Sequence, residues 1–95
     1  MAAVDGVQAC SATLTGGTAD TVTLTGQGAS LAVTNRHATN EMWVRLDAST
    51  AAVANADENY LVLAGSTVVF GVTTGAASRV ISIVGTDNPY TAMLL

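Results

Sequence analysis

In Asp20-Thr21-Val22-Thr23-Leu24-Thr25 the residues from Thr21 onward alternate strictly between threonine and an aliphatic, and this hexapeptide decides the fold class. A period of two places Val22 and Leu24 on one face of an extended strand and the three threonines on the other. Gly26-Gln27-Gly28 follows, and Ser30-Leu31-Ala32-Val33-Thr34 resumes with Leu31 and Val33 sharing a face. The two segments are therefore expected to form an antiparallel hairpin closed by a glycine-containing loop.

The same period extends in both directions. Upstream, Val7 to Leu14 reads as a weaker strand, and residues 1–6 carry no strand pattern, so they are expected to be a flexible arm able to order on a neighbouring subunit. Downstream, Asn35-Arg36-His37-Ala38-Thr39-Asn40-Glu41 is polar and bounded by asparagines, which favour turns and tolerate left-handed backbone, so a surface loop is expected there. Met42-Trp43-Val44-Arg45-Leu46-Asp47 alternates again, with Met42, Val44 and Leu46 expected inward and Trp43, Arg45 and Asp47 outward. Residues 48–59 lack large apolar side chains and read as a long loop. Tyr60-Leu61-Val62-Leu63, Thr67 to Val72, Ser78 to Val84 and Tyr90 to Leu95 supply four more strands, separated by Gly, Asn and Pro turn signals. Seven to eight short strands without a substantial helix predict an all-β fold, an antiparallel sandwich or jelly-roll-like barrel, in one domain over residues 1–95.

Composition restricts the function. The chain is 49% hydrophobic but only 11% charged, with three Arg, no Lys and seven acids, for a net charge of -4. Without a cationic footprint there is nothing to neutralise phosphates, so no nucleic-acid partner is expected. No stretch reaches the ~18–20 apolar residues of a membrane-spanning helix, and the N-terminus lacks the basic segment of a signal peptide. A soluble product of the cytosol with no membrane partner is expected. Small Ala, Val, Thr and Gly side chains give a thin core, and a chain this short buries only somewhat over ~60% of its unfolded surface, so further stability is expected from association.

Catalytic chemistry is scarce. One His, one Cys, no Lys and scattered carboxylates offer no nucleophile with a positioned base, and no catalytic residue is assigned. His37 lies in the polar loop with no Gly-x-Ser-x-Gly elbow anywhere in the chain and reads as a solvated loop histidine. Cys10 and His37 do not make a zinc site, and Asp57-Glu58-Asn59 lacks the spacing of a calcium loop, so no metal and no cofactor are expected. Trp43, Tyr60 and Tyr90 read as packing anchors before they read as a sugar-stacking platform. The apolar end, Leu94-Leu95, is expected to be paired in a sheet or buried against another subunit.

Val33-Thr34-Asn35, the polar loop, Trp43-Val44-Arg45-Leu46, the Ala- and Asn-rich loop, Tyr60-Leu61-Val62-Leu63-Ala64-Gly65 and Arg79-Val80-Ile81-Ser82-Ile83-Val84 together resemble small virion structural proteins of tailed bacteriophages. The resemblance spans about residues 22–84 and consists of strand and turn patterns, so it transfers no site residues. Among such proteins the chain looks most like a capsid decoration, or cement, protein; head-tail, tail or fibre-associated subunits share the layout. The resemblance implies a location on the outside of the virion capsid after synthesis in the host bacterial cytoplasm, with the major capsid protein as partner and a homo-oligomer, a trimer first, as the assembled form. A cement protein must bury apolar area at junctions of an assembled shell, with a standard contact near ~1,600 Å². The residues expected at such interfaces are Trp43, Arg45, Asp47, Tyr90, Met93, Leu94 and Leu95.

Overall fold

The computed structural model describes residues 2–16, 18–26, 28, 30–46, 60–71 and 79–95. Among these residues the chain is all-β, with nine strands: β1 Ala2–Gly6, β2 Ala9–Thr13, β3 Asp20–Leu24, β4 Ser30–Asn35, β5 Met42–Arg45, β6 Tyr60–Val62, β7 Thr67–Gly71, β8 Arg79–Gly85 and β9 Pro89–Leu94. They form a five-stranded sheet in the order β1-β3-β8-β5-β6 and a four-stranded sheet in the order β2-β9-β4-β7. The expected loop over 48–59, the turn over 73–77 and Asp47 lie outside the described residues.

Eight strands coincide with alternating segments of the sequence. The ninth, β1, replaces the expected arm: Ala2 to Gly6 pairs in parallel with Asp20 to Leu24, so the sheet is not purely antiparallel. Ala-Ala-Val-Asp-Gly has little strand propensity of its own, and its pairing with β3 supplies the order.

The expected hairpin between β3 and β4 does not form. β3 pairs with β1 and β8, whereas β4 pairs with β7 and β9 in the opposite sheet. β4 therefore lies in the sheet opposite β3. Alternation shows that each strand has one apolar face, but two such faces can lie side by side in one sheet or face each other across a core. Here Val22 and Leu24 meet Leu31 and Val33 in one buried cluster. The end of β3 is tied to the chain between β1 and β2, which passes between the sheets there: the Thr25 and Gly26 amides donate to the Gly6 and Val7 carbonyls at 3.1 and 2.7 Å. A Cβ on Gly26 would stand 2.6 Å from the Val7 carbonyl oxygen, which is why glycine sits at that approach.

Between the sheets lie Leu14, Val22, Leu24, Leu31, Val33, Met42, Val44, Val62, Phe70, Ile81, Ile83, Tyr90, Ala92 and Leu94. Each fully buried Leu, Ile or Val contributes about 1.5–3 kcal/mol relative to exposure, so the core is adequate though poor in large rings. Tyr60 and Phe70 close the side between β6 and β7 with an edge-to-face contact at 5.0 Å. Leu46, expected inward, is exposed, because β5 ends at Arg45 and the alternation ends with it.

Candidate functional site

Two groups of polar side chains are built into the fold. The first spans the sheets: the Tyr90 hydroxyl on β9 donates to the Asp20 carboxylate on β3 at 2.8 Å, with both residues buried. Asp20 is in phase with Val22 and Leu24 and so points inward with them. Burial, and after it the Asp20 carboxylate beside it, hold the Tyr90 phenol protonated well above its usual range.

The second group closes one end of the sandwich with three asparagines. The Asn88 amide donates to Asn35 Oδ1 at 3.0 Å and to the Asn40 carbonyl at 2.7 Å, while its Oδ1 accepts the Thr86 amide at 2.7 Å. Asn35 Nδ2 donates to the Asn40 and Val62 carbonyls, and its Oδ1 accepts the His37 amide. Asn40 Nδ2 reaches the Thr86 carbonyl at 2.9 Å. The segment read as a surface loop is therefore anchored at Asn35, fully buried together with Asn88, and at half-buried Asn40, while Arg36, Ala38, Thr39 and Glu41 are exposed as expected. His37 is not simply solvated; its Nδ1 accepts the Thr39 and Asn40 amides at 3.0 and 2.9 Å, which places the ring proton on Nε2. Asp87 takes a left-handed φ of 56° in the turn that presents Asn88.

These groups satisfy one another and so serve the architecture. Among the described residues no group of three or more His, Cys, Asp or Glu side chains could hold a metal ion. Cys10 is half-buried on β2, and burial pushes its thiol up from the usual range, away from the reactive thiolate.

Among the described residues the outer faces of the two sheets carry mainly apolar and hydroxyl side chains. On the five-stranded sheet, Leu61, Trp43 and Val84 stand opposite one another on adjacent strands. Trp43 packs on Val84 and Ala19 and remains half-buried, Leu61 is 46% exposed and Leu63 beyond it 55%. Arg45 follows Trp43 on the same outward face, opposite Ser82.

The residues expected at interfaces separate accordingly. Trp43 and Arg45 share the outer face of the five-stranded sheet. Met93 and Leu95 are exposed on the four-stranded sheet at 40% and 59%. Tyr90 and Leu94 alternate with them and are buried in the protein's own core, so neither offers surface to a partner. β9 lies between β2 and β4 and has one face on the core, so Tyr90 and Leu94 do not share the surface of Met93. Asp20, Asn35 and Asn88 are further buried polar residues that were not among the expected site residues. The phase of Asp20 with Val22 and Leu24 was a usable signal, whereas nothing in the sequence separates a buried turn asparagine from an exposed one. Trp43, Tyr60 and Tyr90 fall on an outer face, a sandwich side and the core respectively, so the three rings make no common platform. No protein-family model, no curated protein and no solved structure matches this chain.

Proposed function

We propose that this chain is a bacteriophage capsid decoration protein, which binds the outside of an assembled shell through the major capsid protein and stabilises it non-covalently. The observation that carries the reading is the outer face of the five-stranded sheet, where exposed Leu61 lies beside half-buried Trp43, which covers the buried Val84, with half-buried Arg45 two residues on: a Trp and an Arg are residue types that dominate binding energy at interfaces. The inward polar groups, Tyr90 with Asp20 and the three asparagines, are consumed by the fold. Anything that binds the assembled shell and not its dissociated subunits raises shell stability by mass action. With no lysine in the chain, attachment through a lysine amine of this protein is excluded, and the contact rests on burial and hydrogen bonds.

The test is add-back to particles lacking the protein. DNA release is followed by dye fluorescence on heating and after chelation of divalent ions. Restored particles are expected to release DNA at higher temperature than bare ones, and identical release curves would sink the proposal. Antibody labelling that lands on tails or fibres would favour the other virion parts that share the sequence layout.

A further inference from the structure

We propose that the four-stranded sheet continues from one copy of this chain into the next, through pairing of β7 with β2 of a second copy. These strands are the two edges of that sheet among the described residues. Every neighbouring pair in it is antiparallel, so β2 and β7 run in opposite directions, and a second copy shifted sideways sets its β2 antiparallel to β7.

The backbone phase agrees. The Leu94 amide donates to the Gln8 carbonyl and the Leu14 amide to the Asn88 carbonyl, so residues 8, 10, 12 and 14 address β9. Ala9, Ser11 and Thr13 therefore turn their amides and carbonyls to the open edge. On the other side the Asn35 amide donates to the Ser66 carbonyl, which leaves Thr67, Val69 and Gly71 addressing the open edge of β7.

Side-chain chemistry selects the register. A row of hydroxyls, Ser11-Thr91-Thr34-Thr67, crosses the outer face from edge to edge, with Ser11 bonded to Thr91 at 2.9 Å and Thr34 to Thr67 at 2.8 Å. Beside it runs an uncharged row, Ala9-Met93-Ala32-Val69. The register that sets Thr67 opposite Ser11 of the partner subunit also sets Val69 opposite Ala9 of the partner subunit, so both rows continue. On the inner face it sets Val68 opposite Cys10 of the partner subunit, and these two are among the side chains left half-buried at the margins of the core. Neither edge carries the charge or proline that commonly blocks strand addition. Each edge complements the other, row by row, which identifies the partner as a second copy.

Such a contact is head-to-tail, so it builds a ring where the rotation closes and a filament where it does not. It stands apart from shell binding: a strict monomer that still protects shells would overturn the pairing and leave the proposed function intact.

The test is sedimentation velocity on the full chain with two double variants at exposed positions. The wild type is expected to associate, as rings or filaments. Ala9→Lys with Val69→Lys sets like charges opposite each other and is expected to be monomeric, while Ala9→Glu with Val69→Lys restores association that weakens with salt. A monomeric wild type, or equal association of the two double variants, would overturn the proposal. Hydrogen exchange supplies a readout on the wild type alone: the Ala9, Ser11, Thr67 and Val69 amides are expected to become protected as concentration rises, and exchange independent of concentration would contradict the pairing.

Discussion

Removing one oxygen from Tyr90 isolates the strap between the sheets. Tyr90→Phe keeps the ring in the core and deletes only the donor that reaches Asp20 at 2.8 Å. A hydrogen bond to a charged group contributes about 1.5–3 kcal/mol, and its removal also leaves the Asp20 carboxylate, only 4% exposed, without that donor, so a loss of about 3 kcal/mol is expected. For a chain of this size each kcal/mol moves the melting temperature by roughly 4–8 °C, so Tm should fall by roughly 12–24 °C. Asp20→Val alone leaves the buried hydroxyl without its acceptor and should cost about 1–3 kcal/mol. The double variant removes both polar partners and puts a β-branched residue in a strand, so it should lie within about 1 kcal/mol of the wild type. Urea unfolding of the four proteins in a double-mutant cycle measures the coupling. Additive losses, or a Tyr90→Phe cost under about 0.5 kcal/mol, would refute the argument that the two groups compensate each other's burial.

The other predictions concern pH, the asparagines and the outer face. Tyr90 is held protonated in the fold, whereas in the unfolded chain it titrates near 10.0. Above that pH the native state binds more protons than the unfolded one, so stability should fall as pH rises past about 10, and less steeply in Tyr90→Phe; equal slopes in alkaline urea titrations would contradict this. Asn88→Ala strips partners from Asn35 Oδ1, the Asn40 carbonyl and the Thr86 amide and should cost about 2–4 kcal/mol by chemical denaturation. Trp43→Ala should weaken co-sedimentation with bare shells about 30-fold, equivalent to about 2 kcal/mol, while the fold stays intact by circular dichroism. Unchanged shell affinity would remove Trp43 from the interface.

The strands were legible because alternation is a local property: Thr21-Val22-Thr23-Leu24 and Ser30-Leu31-Ala32-Val33 declare their extended form without reference to anything else in the chain. Their pairing was not legible. Whether Val22 meets Leu31 beside it or across the core depends on β8 and β9, which lie more than fifty residues away, and those strands take the positions a hairpin would have filled. β1 escaped notice because Ala2 to Gly6 owes its order to β3. At the candidate surface the parity of β5 correctly turned Trp43 and Arg45 outward. Parity applied to β9 returns Tyr90 and Leu94 to the core, since each stands two residues from the inward-facing Ala92. The asparagines misled for a chemical reason: the same amide that favours an exposed turn can satisfy several backbone groups at once in a buried one.

Cryo-electron microscopy of assembled shells incubated with the protein locates it directly. A decoration protein is expected to give density for a β-sandwich on the outer surface of the shell at junctions between capsid subunits, with the Trp43 face of the five-stranded sheet against the shell. Density absent from the outer surface of the shell, or contacts made without that face, would contradict this reading.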